Sequence, residues 1–257
     1  MVQRSAVPQD SVARGTLPTV ILRTPLCELL GIEHPILNVG FAAAAVPELA
    51  AAVSNAGGLG VLGLGVPIDE IRRRVTRARA LTQRPFGGNV IIAAFANRNM
   101  SDEAREQKRQ QIAEVLAQRV PVLVLFWGDP APFVEPARRA GTKLLIQVGA
   151  VDEAVAAATA GVDAVIMQGS EAGGHVKARR SIWETLPQAV AAVRPTPVIA
   201  SGGIADGGGI ARALKMGALA HVLRSTSLPG ALPEPPRMAA WHAASGRRAP
   251  GCLVGHG

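Results

Sequence analysis

Short apolar runs alternate along the chain with stretches of helical periodicity. From Pro35 onward, runs of β-branched and other apolar residues recur, and stretches rich in Ala, Arg and Glu separate them. This alternation is typical of repeated βα units, whose strands form a parallel sheet. Eight strands are predicted, at Ile36 to Gly40, Leu59 to Leu62, Gly88 to Ile92, Val122 to Phe126, Leu144 to Val148, Ala164 to Met167, Val198 to Ala200 and Ala220 to Leu223.

The stretches between these runs predict helices. We expect helices at Pro47 to Asn55, Ile68 to Leu81, Asp102 to Gln118, Asp152 to Ala160 and Gly208 to Met216. Eight βα units in 257 residues favour an α/β fold of the TIM (β/α)8 barrel type, which builds its active site from the loops that follow the strands. A doubly wound open sheet is the alternative, because alternation alone does not establish that the sheet closes.

Composition narrows the class of protein. The chain is 48% hydrophobic with 28 glycines and 3% aromatic residues, which favours tight βα turns over an aromatic-rich β-sandwich. Its two cysteines, Cys27 and Cys252, lie far apart and form no disulfide framework, so a cytoplasmic protein is expected. No apolar run reaches the roughly 20 residues that span a bilayer. We therefore expect no membrane association.

The net charge of +8 raises the question of nucleic-acid binding. The basic residues are mostly arginines spread over helical segments, as at Arg72, Arg73, Arg74 and Arg77, and no aromatic residues interleave them to stack on bases. We therefore interpret them as solvated helix faces and expect no nucleic-acid partner. Salt-dependent binding to DNA or RNA would be the sign of the alternative.

A glycine-rich loop follows the sixth predicted strand. It reads Gln168-Gly169-Ser170-Glu171-Ala172-Gly173-Gly174-His175. Such a loop lets the backbone approach a flat ligand, and a histidine can exchange a proton near neutral pH. A lone histidine is more often a surface or capping residue. Because barrels place their chemistry at strand ends, His175 is nevertheless the candidate catalytic acid/base.

A second glycine turn follows the seventh strand. The segment Ser201-Gly202-Gly203-Ile204-Ala205-Asp206-Gly207 leads into an alanine-rich helix, and such a turn presents backbone N–H groups to a phosphate. Gly202 and Gly203 are the candidate contacts, although a plain glycine turn would have the same sequence.

Polar amides also occur where apolar runs end. Asn89, Gln147 and Gln168 would each need a hydrogen-bond partner if buried, and a flavin ring offers a matching edge of donors and acceptors. Each could instead bond to the backbone. Gly40, at the end of the first strand, leaves room for a planar ring. No cluster of metal ligands is evident.

Together these segments resemble the nitronate monooxygenases, also called 2-nitropropane dioxygenase-like proteins, and the related FMN-dependent enoyl-ACP reductases. The resemblance runs from about Thr24 to Gly217 and is carried by the loop that ends in His175, the Pro-Phe-Gly-Gly-Asn segment that ends at Asn89, and the Gly202–Gly203 turn. It implies FMN contacts at Asn89, Gln168, Gly173, Gly202 and Gly203, with His175 as acid/base. It also implies a nitronate or nitroalkane substrate and oxygen as partners, and it permits a homodimer.

The resemblance fails after Gly217. Members of the family continue through an eighth strand into a Gly-Thr pair that helps to hold the FMN phosphate, whereas Arg224 and Ser225 stand at that place here. A bulky side chain cannot reproduce a close backbone approach. The tail beyond is crowded with Pro, Arg, Gly and Ala, and we hypothesise a frameshift near residue 218 or 219.

The eighth βα unit and the C-terminal region are therefore expected to be atypical or truncated. The predicted organisation is a flexible extension over residues 1–20, an FMN-binding barrel over 21–223 and an irregular tail over 224–257. Three functions stay open: nitronate oxidation, enoyl-ACP reduction with NAD(P)H, and a relic with weak or no FMN binding.

Overall fold

A computed structural model describes residues 22–41, 44–96 and 100–223 of the chain. Its eight strands are β1 Ile36–Asn38, β2 Gly60–Gly63, β3 Phe86–Ile91, β4 Val122–Phe126, β5 Lys143–Val148, β6 Ala164–Gln168, β7 Val198–Ser201 and β8 Ala220–Leu223. Its helices are α1 Pro25–Leu30, α2 Pro47–Asn55, α3 Ile68–Leu81, α4 Asp102–Ala117, α5 Ala131–Ala140, α6 Val151–Ala160, α7 Ile182–Ala192 and α8 Gly207–Lys215, with a short 3-10 helix at Ala93–Ala96. The predicted alternation of strands and helices is confirmed.

All eight strands are parallel neighbours in one sheet, in the order β1-β8-β7-β6-β5-β4-β3-β2. The two end strands meet at a parallel bridge between Leu37 and Leu59, where the Asn38 N–H donates to the Leu59 carbonyl at 3.2 Å and the Leu59 N–H donates to Ile36 at 2.9 Å. The sheet is therefore a nearly closed barrel. The TIM-barrel prediction is confirmed, and the open doubly wound sheet is excluded.

The Asn38 side chain extends this narrow closure. Its Oδ1 accepts a hydrogen bond from the Val61 N–H at 2.7 Å, and its Nδ2 donates to the carbonyls of Val61 at 3.2 Å and Val39 at 3.0 Å. The Asn38 side-chain amide therefore makes the hydrogen bonds to β2 that a backbone peptide group would make in a longer strand. For this reason β1 ends at Asn38, and the prediction that it continues to Gly40 was wrong.

Two apolar layers hold the barrel together. Along each strand alternate side chains point inward: Leu145 belongs to the interior cluster, whereas its neighbours Leu144 and Ile146 pack outward under the helices. Leu26 and Leu30 of α1 join the interior cluster at the amino-terminal ends of the strands. Because α1 covers that end, the carboxyl-terminal end is the one available for a site.

Four arginines of α3, Arg72, Arg73, Arg74 and Arg77, are paired with carboxylates. Arg72 bonds to Glu114 of α4 at 2.9 Å, and Arg73 and Arg74 bond to Glu70 at 2.7 and 2.8 Å. Exposed ion pairs of this kind contribute little to stability. Their carboxylates do, however, offset much of the positive charge that the arginines place on α3. No helix in the described ranges is long and apolar enough to cross a membrane.

Several predictions concern residues that lie outside the described ranges. These are the extension over 1–20, the tail over 224–257, Arg224, Ser225 and Cys252. Cys27 is buried in α1, at the end of the barrel opposite the predicted site. Strand β8 is present where it was predicted.

Candidate active site

The loop between β6 and α7 carries His175 and is folded back on itself at its base. The Ser170 N–H donates to the Arg180 carbonyl at 2.9 Å, and the Glu171 carboxylate accepts from the Ser181 hydroxyl and, at 3.0 Å, from the Ile182 N–H. Burial disfavours the charge on Glu171, but the hydrogen bonds from Ser181 and Ile182 outweigh it and hold the pKa of this carboxyl below its usual value. Glu171 therefore stays ionised and anchors the loop to the first turn of α7.

Gln168, the last residue of β6, spans the loop from inside the barrel. Its side chain is 1% exposed. Its Nε2 donates to the His175 carbonyl at 2.9 Å, and its Oε1 accepts from the N–H groups of Lys177 at 2.9 Å and Ala178 at 3.5 Å. One amide therefore binds the backbone on both sides of Val176. The same amide was predicted to contact a flavin, and one of its two N–H groups remains for such a contact.

His175 lies beside an aromatic residue that the sequence analysis did not single out. The imidazole is edge-on to the indole of Trp127, with ring centroids 6.3 Å apart and an interplanar angle of 76°. Trp127 follows β4 directly, has the unusual positive φ of 51° and is 7% exposed. Its indole N–H has no hydrogen-bond partner within the described chain. A rare aromatic residue followed by glycine at a strand end was the signal that could have revealed it.

Trp127 is held by its neighbours on both sides of the barrel rim. Its ring contacts Phe126 at 5.2 Å between centroids, and its backbone N–H donates to the Gln147 carbonyl at 3.1 Å. Successive contacts thus connect the ends of β4, β5 and β6: they run from Gln147 to Trp127, from Trp127 to His175 and from His175 to Gln168. Three of these four residues were predicted site residues.

The three predicted amides differ in how they are satisfied. By strand alternation Asn89, Gln147 and Gln168 all point into the barrel. Asn89 lies in the middle of β3, where its Nδ2 donates to the Val124 carbonyl at 3.1 Å. The buried Gln147 amide, in contrast, has no hydrogen-bond partner among the described residues. Gln147 is therefore the amide whose donors and acceptor are available to a ligand.

Gly40 and Asn89 are in direct contact. A Cβ atom at Gly40 would lie 2.5 Å from the Asn89 Cβ and 2.8 Å from a Val61 methyl carbon. Gly40 is thus required by the close approach of the segment after β1 to β2 and β3, a different reason from the room for a planar ring that the sequence suggested. No hydrogen bond or ring contact in the described ranges joins this pair to His175.

The turn between β7 and α8 packs against the His175 loop. Gly202 has φ of 102°, and a Cβ there would lie 2.9 Å from the backbone nitrogen of Ala172; a Cβ at Gly203, with φ of 67°, would lie 3.0 Å from the Glu171 Cβ. The two glycine-rich segments found in the sequence are therefore neighbours. Gly173 is exposed in the loop beside this contact.

The backbone of this turn is available for an anion. Neither the Gly202 nor the Gly203 N–H donates to any described residue. At the adjoining end of α8, the Asp206 carboxylate accepts from the Gly209 N–H at 2.7 Å. Because a carboxylate already occupies that helix terminus, an incoming phosphate would meet the Gly202–Gly203 turn first.

The strand that follows holds an unexpected polar residue. His221 of β8 is 1% exposed, and neither ring nitrogen has a hydrogen-bond partner in the described part of the chain. Ala220 and Val222 on either side belong to the interior cluster, so His221 faces outward from the barrel. Burial lowers the pKa of His221 to about 4. It is therefore neutral near pH 7 and belongs to the outer wall.

Comparison with known proteins identifies the family. The family model for nitronate monooxygenase matches residues 23–228. The chain belongs to the nitronate monooxygenase family. This agrees with the resemblance noted from the sequence. The match continues through β8 to residue 228, so the prediction that the resemblance fails after Gly217 was wrong.

Individual relatives differ in their described activities. The chain is 33% identical over 228 residues to a probable nitronate monooxygenase of Staphylococcus aureus, with 75% of this chain and 64% of that one covered. It is 36% identical over 200 residues to a Mycobacterium tuberculosis (3aS,4S,5R,7aS)-5-hydroxy-7a-methyl-1-oxo-octahydro-1H-indene-4-carboxyl-CoA dehydrogenase, with 77% and 53% covered. The chain thus spans 53% and 64% of the lengths of these relatives.

The fold also matches a solved structure. FabK from Thermotoga maritima superposes with a TM-score of 0.70 at 38% identity, covering 78% of this chain and 60% of that one. The family relationship and the fold are therefore shown, and the family is one of oxidoreductases.

Proposed function

We propose that this chain is an FMN-dependent enzyme that oxidises alkyl nitronates or nitroalkanes with molecular oxygen. The observation that carries the proposal is the placement of His175 at the carboxyl end of the barrel, where Gln168 holds its backbone and its loop packs, at Glu171 and Ala172, against a glycine turn with free N–H groups. The nitronate monooxygenase family match supports the choice of substrate class.

The described residues fit an FMN group. The unpaired N–H groups of Gly202 and Gly203 would bind its phosphate, as donors to an anion. The free amide of Gln147 and the remaining N–H of Gln168 would bond to the polar edge of the ring. Asn89 has only one side-chain N–H left for such a bond, because the other donates to the Val124 carbonyl. When bound, FMN supplies electron transfer from the organic substrate to oxygen.

His175 would handle the proton and the charge of the substrate. As a neutral imidazole it can remove the α-proton of a nitroalkane, and as an imidazolium it can pair with a nitronate anion. Both roles need the ring at a fixed place. The Gln168 hydrogen bond to its carbonyl and the edge of Trp127 restrict that place.

Oxygen uptake tests the proposal. FMN-loaded protein should consume oxygen when given an alkyl nitronate in the absence of NAD(P)H. Absence of uptake by protein with bound flavin would contradict it. An identical assay with flavin-free protein controls for the slow reaction of nitronates in buffer.

The second candidate is a reductase that consumes NAD(P)H. It follows from the Glu-Ala-Gly-Gly-His loop, Glu171 to His175, that the chain has in common with FMN-dependent enoyl-ACP reductases, and from the similarity to FabK. Flavin bleaching by NAD(P)H under anaerobic conditions would favour this candidate. A purified protein that binds no FMN even when FMN is added would favour a relic.

We also propose the organisation predicted from the sequence. Residues 21–223 form the FMN-binding unit, with 1–20 as an extension and 224–257 as a tail. Sequencing of the gene tests the frameshift hypothesis for the tail, because one alternative reading frame should continue the family pattern. The partners proposed are the nitro compound and oxygen, and a homodimer is testable by light scattering.

A further inference from the structure

The β6–α7 loop has little regular structure, yet the buried side chain of Gln168 binds the backbone of its central part. Of the residues between β6 and α7, none lies in a helix or strand. Peptide groups in such a loop normally bond to water. Here the Gln168 amide reaches the carbonyl of His175 and the N–H of Lys177, both at 2.9 Å.

We propose that Gln168 is a positioning residue whose amide fixes the backbone that carries His175. This role is additional to the flavin contact proposed for Gln168, and its catalytic part rests on the proposed function of His175. The structural part does not depend on any substrate.

The chemistry of the amide explains why glutamine suits this position. A primary amide offers two N–H donors and an acceptor oxygen with two lone pairs. The loop uses one donor on His175 and the acceptor on Lys177 and Ala178. Glutamate would keep the acceptor and lose the donor to His175, and leucine would lose both while filling a similar volume.

The outer side of the loop is tied down separately. The Lys177 ammonium pairs with the Glu153 carboxylate of α6, and the other Glu153 oxygen accepts from the Gly149 N–H at 2.9 Å. Gly149 packs so closely that a Cβ there would lie 2.8 Å from the Ala178 nitrogen. These contacts hold residues 177 and 178 against the β5–α6 turn, but none of them reaches His175. Gln168 links that anchored stretch to the backbone of the histidine.

Amide hydrogen exchange tests the structural part without any substrate. In the wild-type protein the Lys177 N–H should exchange at least tenfold more slowly than the exposed Gly173 and Gly174 N–H groups, because its hydrogen bond to the buried Gln168 side chain protects it. Q168L should raise its exchange rate at least tenfold. Q168E, which keeps the acceptor, should leave the Lys177 rate within about threefold of wild type.

Gln111 provides a matched control. It is a buried glutamine of α4 whose Nε2 donates to the Val66 carbonyl at 2.8 Å, on a different loop. Q111L removes the same kind of bond and should lower the melting temperature while leaving exchange of the 169–180 segment unchanged. If Q168L does not fold, the exchange rate of Lys177 in the wild type and the kinetics of Q168E still test the proposal.

Kinetics on FMN-loaded protein test the catalytic part. At equal flavin content, Q168E should lower kcat/KM for a neutral nitroalkane at least tenfold, because the His175 carbonyl has lost its donor. It should also move the acid limb of the pH profile to higher pH, because the added carboxylate favours the imidazolium form of the base. Q111L should do neither. Rapid exchange of Lys177 in the wild type, or an unchanged rate in Q168L, overturns the proposal. If exchange behaves as expected but no variant oxidises nitro compounds, the positioning stands and the proposed substrate fails.

Discussion

The imidazole of His175 meets the indole of Trp127 edge-on, with ring centroids 6.3 Å apart. Aromatic pairs in this geometry attract each other by roughly 1 kcal/mol beyond their buried area. Trp127 is itself fixed by its bond to the Gln147 carbonyl and by its buried ring. The Trp127 ring therefore limits the positions that the His175 imidazole can take.

Two substitutions of Trp127 distinguish the contribution of its aromatic ring from that of its indole N–H group. W127A removes the wall beside His175 and should lower kcat/KM about tenfold or more, and it should cost about 3 kcal/mol of stability through the cavity left behind. W127F keeps an aromatic edge and deletes an indole N–H that has no described partner, so its stability should be close to wild type. Kinetics and thermal unfolding of the pair check this, and wild-type kcat/KM in W127A would show that the contact is incidental.

The Gly202 turn offers a test of the flavin site. G202A places a methyl group 2.9 Å from the Ala172 nitrogen at a residue with φ of 102°, so the turn must move and stability should fall by about 2 kcal/mol. FMN affinity should fall at least tenfold as the free N–H groups move. G207A is the control, since no atom lies within 4 Å of a Cβ there. Fluorescence titration with FMN compares the two, and equal affinities would place the phosphate elsewhere.

The buried His221 should make the stability of the folded protein sensitive to acid. The folded pKa of about 4 lies below the usual 6.5, so the unfolded chain binds the proton more tightly. Stability from this residue is complete above pH 6.5 and is lost as the pH falls toward 4, up to about 3 kcal/mol.

Substitution by an apolar residue should remove that sensitivity. H221L fills the buried position without a titrating group, and it should flatten the urea-unfolding free energy between pH 6.5 and 4 relative to wild type. The control H34L replaces an exposed histidine and should keep the acid loss. A pH dependence that persists in H221L would show that other groups are responsible.

The side-chain hydrogen bonds of Asn38 should contribute measurably to the free energy of unfolding, because they join β1 to β2. N38A removes three hydrogen bonds across and beside the β1–β2 junction, and a loss of about 2 to 3 kcal/mol is expected because the Val61 peptide is left without partners. N55A removes bonds of the exposed Asn55 to Leu81 and Thr82 and should cost less than half as much. Chemical denaturation of both variants measures the difference, and equal losses would mean that the side-chain bridge adds little.

The periodicity of the sequence was sufficient for the architecture. Strand alternation places Asn89, Gln147 and Gln168 inside the barrel, and the bounds of Val122–Phe126 and Ala220–Leu223 follow from their apolar runs. These features depend on patterns within a few residues, which is what a single sequence records well.

The assignment of individual roles needed three dimensions. The three amides look alike in sequence, yet Asn89 bonds to a neighbouring strand, Gln168 to a loop and Gln147 to no described residue. The approach of Trp127 to His175 joins residues 48 positions apart through turns that no local pattern specifies. Contacts between loops depend on how the strands are staggered around the barrel.

The role of His175 is the central claim, and one comparison tests it most directly. FMN-loaded H175A and wild type, matched in flavin content, should be assayed for oxygen uptake with a neutral nitroalkane. We predict that H175A lowers kcat/KM at least a hundredfold, because the group that removes the α-proton is gone. Turnover equal to wild type in H175A with bound FMN would contradict the account.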